Sequence, residues 1–103
     1  MNHPFDIRPE RLRILQTARI AYDLEHTRGM YEAITGAIDR FLAHDWGNAS
    51  ESSKEMNNES LASGDEILGV YPLSDKLDIW LYLDPASGPK SERVLTIMYP
   101  DEY

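Results

Sequence analysis

The apolar pattern of this chain changes period at Glu66. Before it, aliphatic and aromatic residues recur three or four apart, the spacing of one helix face; after it they come in short runs divided by turn residues, the spacing of strands. The clearest run is Leu77 to Leu83, where Leu77, Ile79, Leu81 and Leu83 share one face and Asp78, Trp80, Tyr82 and the following Asp84 share the other. With Ile67 to Leu73 on one side and Val94 to Tyr99 on the other, it makes a three-stranded antiparallel meander. Such a sheet needs cover on its aliphatic face, so the expected fold is α+β, with N-terminal helices packed on three antiparallel strands.

The helices follow from the same spacing. Pro9 to Ile20 suits a helix, with proline in the first turn and Leu12, Leu15, Ala18 and Tyr22 three or four apart; from Arg19 to Leu24 an alternation of Ile20, Tyr22 and Leu24 leaves a short strand open. Met30, Ile34, Ile38, Phe41 and Leu42 form one stripe running to about His44, and Gly36 inside it implies a close contact or a kink. Ser52 or Ser53 can cap a short helix that ends at Gly64, with only Met56, Leu61 and Ala62 to bury, hence weakly anchored. Ser74-Asp75-Lys76 has hairpin length, and Asp84 to Glu92 is a longer polar loop. The 103 residues thus divide one domain into a mainly helical part (1–44), a turn with a short helix (45–64) and a β meander (65–103).

Charge narrows the choice of partner. The chain carries 10 basic and 18 acidic residues, net −8. Residues 1–44 hold as many acids as bases, so the whole excess lies in 45–103. Phosphates and anionic membrane surfaces repel such a half, so direct nucleic-acid and membrane binding are not expected. A basic protein surface, including the groove of a nucleic-acid-binding protein, is the matching partner. No apolar run reaches the length of a membrane span, the N-terminus lacks the basic and apolar regions of a signal peptide, and cysteine is absent. A cytoplasmic protein without thiol or thiolate-metal chemistry is the expectation.

Candidate sites are few. His44 and Asp45 are the nearest approach to an acid–base pair, against a structural reading in which the histidine favours the helix C-terminus and Asp45 opens a turn. The three histidines lie far apart without metal-ligand spacing, and no phosphate loop, nucleophile elbow or zinc helix occurs, so no catalytic residue, cofactor or metal site is assigned. Asn57 and Asn58 suit backbone-linking roles, and Trp46 a plug between the long helix and the sheet. Asp78, Trp80, Tyr82 and Asp84 form the candidate partner-binding face, unless a helix also covers that side.

An ordered set of residues also resembles a known family. Phe41-Leu42-Ala43-His44-Asp45-Trp46-Gly47, Asn57-Asn58-Glu59-Ser60-Leu61, Gly64, Ile67-Leu68, Tyr71, Ile79-Trp80, Arg93, Thr96, Pro100 and Glu102-Tyr103 resemble a family of small uncharacterised proteins carried by phages, plasmids and other mobile elements. The likeness covers roughly residues 38–103, with His44 and Asp45 adjacent where the family usually separates them. It implies His44, Asp45, Trp46, Gly47, Asn58 and Tyr103 as pattern residues of a structural kind, and an accessory role on a mobile element. The resulting expectation is an acidic, non-enzymatic binding protein, including the version that inhibits a host nucleic-acid-targeting or defence protein. The alternatives are a small enzyme using His44 and Asp45, and a self-associating protein that covers an edge strand or the Trp80 face with a second copy, a homodimer.

Overall fold

Thr17 decides the path of the N-terminal third. Its hydroxyl accepts the Ile20 N–H at 3.3 Å, so a helix begins at Ala18, well after Pro9. A computed structural model describes residues 3–74 and 76–103. Pro9–Arg11 form a 3-10 turn (η1), Leu12–Gln16 a strand (β1), and Ala18–His26 the helix α1. The expected helix from Pro9 to Ile20 is therefore corrected, and so is the open strand reading of Arg19 to Leu24, which is helical. Helical spacing over so short a stretch loses to a non-local partner: Leu12 and Ile14 flank Arg13 in strand spacing, and the stretch pairs in parallel with a strand near the other end of the chain.

The remaining elements are α2 (Met30–Leu42), α3 (Glu51–Ser63), β2 (Ile67–Ser74), β3 (Leu77–Leu83), β4 (Arg93–Met98) and a second 3-10 turn, η2 (Pro100–Glu102). The fold is α+β, with helices against a sheet. That sheet is four-stranded and mixed, in the order β1-β4-β3-β2, in place of the expected three antiparallel strands. The expected antiparallel meander is its β2-β3-β4 part. Of the expected hairpin connection, Asp75 lies outside the described residues.

One face of the sheet carries the core. Ile67 and Tyr71 of β2, Ile79, Leu81 and Leu83 of β3, and Leu95 and Ile97 of β4 are buried there against Ile20 of α1 and Met30, Ile34, Ala37 and Phe41 of α2. Each fully buried large side chain contributes about 2 kcal/mol of transfer free energy, which makes this face the main source of stability. Gly36 makes no close contact: it is exposed, and a Cβ there would meet nothing within 4 Å. Its cost in helix propensity is uncompensated by any contact on this surface.

Two polar devices fasten the periphery. Arg93 is buried at the start of β4, where its guanidinium donates to the carbonyls of Asp84 at 2.9 Å and Asp65 at 3.2 Å, tying the loop after β3 to the approach to β2. Desolvation lowers its pKa, against the opposing charge of Asp84, and those carbonyls satisfy its N–H groups. At the far end of β4, Glu102 accepts the Thr17 hydroxyl and the Tyr99 N–H, each at 2.9 Å, Tyr99 donates its hydroxyl to Asp23, and Asp101 pairs with Arg19. Burial, followed by the Asp23 hydrogen bond, pushes the Tyr99 phenol up to about 12. No helix among the described residues is long and apolar enough to cross a membrane.

Candidate functional site

The second face of the sheet lies outside the core. Leu68 and Val70 of β2, Asp78, Trp80 and Tyr82 of β3, and Val94 and Thr96 of β4 alternate onto it and are half-buried. Trp80 and Tyr82 are the aromatic centre. The ring of Tyr103 stands edge-on to both, with centroids 5.5 Å away in each case, while remaining 66% exposed itself. Acidic groups surround these rings: Asp78 and Asp84 flank them along the strand, and the Glu66 carboxylate drives the Tyr82 pKa up. A shallow groove lined by Met56, Glu66, Leu68 and Tyr103 extends the patch to α3. Met56, expected to be buried, is exposed there.

The His44-Asp45-Trp46-Gly47 turn is assembled for a different purpose. His44 takes a left-handed conformation, φ 63°, just past α2, and is exposed, with its ring stacked 5.6 Å from that of Trp46. The Asp45 carboxylate has other partners. The Asp45 carboxylate accepts Arg40 Nε at 2.8 Å and the Gly47 N–H at 3.0 Å, and these bonds, the arginine's first, hold its pKa below the usual carboxylate range. Arg40 in turn lies over the ring of Tyr71, whose hydroxyl donates to the Asp45 carbonyl at 2.9 Å. No hydrogen bond or ion pair joins the two residues expected as a possible acid–base pair. Among the described residues no group of three His, Asp or Glu side chains comes together around a metal position.

What the turn does is close the outer edge of β2. The Trp46 carbonyl accepts the Val70 N–H at 3.2 Å and the Asn48 N–H donates to the Val70 carbonyl at 2.7 Å, a parallel bridge centred on Gly47. Only glycine fits: φ is 69°, and a Cβ would sit 2.0 Å from the Val70 carbonyl oxygen. One step along the edge, Asn57 of α3 occupies Leu68 with both ends of its amide, donating to the carbonyl at 2.8 Å and accepting the N–H at 3.2 Å. The next outward residue is Pro72, which has no N–H to offer. Trp46 anchors the closure: it is 3% exposed, meets Phe41 edge-on at 5.3 Å, and donates its indole N–H to Asn58 Oδ1 at 2.9 Å.

These bonds correct the picture of α3 as a weakly anchored helix. Ser50, rather than Ser52 or Ser53, accepts the capping N–H, and the buried side consists of Asn57, Ser60 and Leu61. Polar side chains were the anchor, and a search for apolar periodicity passes over them. The outer edge of β1 was missed altogether. Its alternation of Leu12 and Ile14 ahead of the capping Thr17 is the only sequence signal that marks it. Comparison of the chain with protein-family models, with curated proteins and with solved structures finds no match.

Proposed function

We propose that this chain is a non-enzymatic protein-binding module whose open sheet face receives a basic, arginine-bearing segment of another protein. The observation that carries this reading is the cluster of Trp80, Tyr82 and Tyr103 rings, half-buried or exposed, bordered by Asp78, Asp84 and Glu66. Guanidinium groups stack on aromatic faces and pair with flanking carboxylates, which favours arginine over lysine at such a surface. The net charge of −8 supplies long-range attraction for a basic partner and repels nucleic acid itself. A nucleic-acid-binding host protein, inhibited through its basic groove by the product of a mobile element, is the specific form of this reading that the family resemblance suggests.

The test uses a synthetic peptide alternating arginine and valine, titrated calorimetrically at low and high salt. Binding should weaken steeply with salt, fall about tenfold in Asp78→Asn/Asp84→Asn, and drop further in Trp80→Ala. Equal affinity in all three proteins, or indifference to salt, would remove the open face as the site.

A further inference from the structure

The two edges of the sheet are finished differently, and the phase of the β1 ladder shows what is left over. The Thr17 N–H donates to the Ile97 carbonyl at 3.2 Å, and β1 pairs in register with β4 from Leu12 with Arg93 to Gln16 with Ile97. In a parallel ladder alternate residues turn to the neighbour, so Arg13 and Leu15 bond to β4 while Leu12, Ile14 and Gln16 turn outward. The Leu12 N–H is taken by the Pro9 carbonyl of η1. The remaining outward groups, including both of Ile14 and both of Gln16, have no hydrogen-bond partner among the described residues. Ile14 and Leu15, on opposite faces of this edge, are 47% and 43% exposed.

Charge along the edge selects the occupant. Arg8, Arg11 and Arg13 lie at its N-terminal end, outnumbering Glu10 of η1, and make no ion pair among the described residues. At its C-terminal end Thr17 holds Glu102, with Asp101 and Asp23 beside it and only Arg19 in opposition. A strand that is basic at one end and acidic at the other complements its own antiparallel copy. We infer that β1 pairs antiparallel with β1 of a second copy of this chain, about a two-fold axis at Ile14, joining two sheets into one.

In that register Ile14 faces its counterpart and the two exchange both backbone bonds. Gln16 N–H meets the Leu12 carbonyl of the other copy, and Leu15 packs on the aliphatic stem of Arg13. Arg11 falls opposite Thr17, within reach of Glu102. The η1 turn, having used the Leu12 N–H, ends the ladder on both sides. Because the axis runs perpendicular to the sheet, the Trp80 faces of both copies lie on the same side. This inference is independent of the partner reading above, since the edge closes whether or not that face binds anything.

The experiment is sedimentation velocity from about 1 to 200 μM in low and high salt, a span that covers weak dimers. The wild-type chain should be a dimer at the upper end. Ile14→Pro, which removes the outward N–H at an edge that tolerates proline, and Arg11→Glu should each weaken association at least tenfold. High salt should weaken the wild type, and Trp80→Ala should leave its dimer intact. Circular dichroism checks that each variant folds, and Arg11→Glu carries the test alone should Ile14→Pro not fold. A monomer at 200 μM in low salt overturns the inference, as does a dimer indifferent to Ile14→Pro and Arg11→Glu or one abolished by Trp80→Ala.

Discussion

The edges of β2 and β1 bound the same sheet, yet one is closed group by group and the other only at Leu12, by η1, with Arg13 its one charged residue. On β2, a side-chain amide satisfies Leu68, a glycine turn satisfies Val70, and proline ends the series. None of these groups can be exchanged for a generic surface residue. On β1 the corresponding positions, Ile14 and Gln16, present backbone groups with no partner among the described residues, beside exposed aliphatic side chains. An unprotected strand edge recruits further strands, and the three specific devices on β2 are what the edge of β1 lacks.

Substitutions that reopen β2 or alter β1 test that contrast. Gly47→Ala should have the largest effect, because its Cβ would meet the Val70 carbonyl at 2.0 Å in a left-handed backbone; a loss of about 3 kcal/mol, seen as a Tm lower by roughly 15 °C, is expected. Asn57→Ala removes both bonds to Leu68 and should cost about 2 kcal/mol in chemical denaturation, with new concentration-dependent association through the uncovered β2 edge.

Asp45→Asn is read through its pH dependence. The folded pKa of Asp45 is depressed, by Arg40 first and the Gly47 N–H second, so its contribution is complete above the ordinary carboxylate pKa and disappears as pH falls through the lower folded value. Melting curves from about pH 6 to 2 should therefore show a shallower acid decline in Asp45→Asn than in the parent. Ile14→Thr should change monomer stability least, within about 0.5 kcal/mol, because that side chain is already half in water. A large loss on this last substitution would mean that β1 is not a free edge.

Legibility followed the range of the interactions. The strands from Ile67 onward and the stripe of α2 could be read because period-two and helical alternation persist over enough residues to exclude the other state. β1 could not, since five residues with helix-compatible spacing become a strand only through β4, far away in sequence. The role of Gly47 was out of reach for a related reason: its need for glycine arises from the approach of Val70. Trp80 and Tyr82 could be assigned to the face opposite the aliphatic residues, but the addition of Tyr103 to that cluster depends on η2 folding back.

The pairing of β1 with β4 also governs the order in which this chain can fold. The β2-β3-β4 hairpins close over short loops, whereas Leu12 must find Arg93 across most of the sequence. High contact order of this kind slows folding, and during synthesis the first strand leaves the ribosome long before its partner exists. Until then Leu12–Gln16 has no template, and once β4 has formed its own inner edge waits for β1. In that interval Arg93–Met98 is an uncovered, largely apolar strand, the point where a chaperone or a neighbouring nascent chain has its chance to intervene.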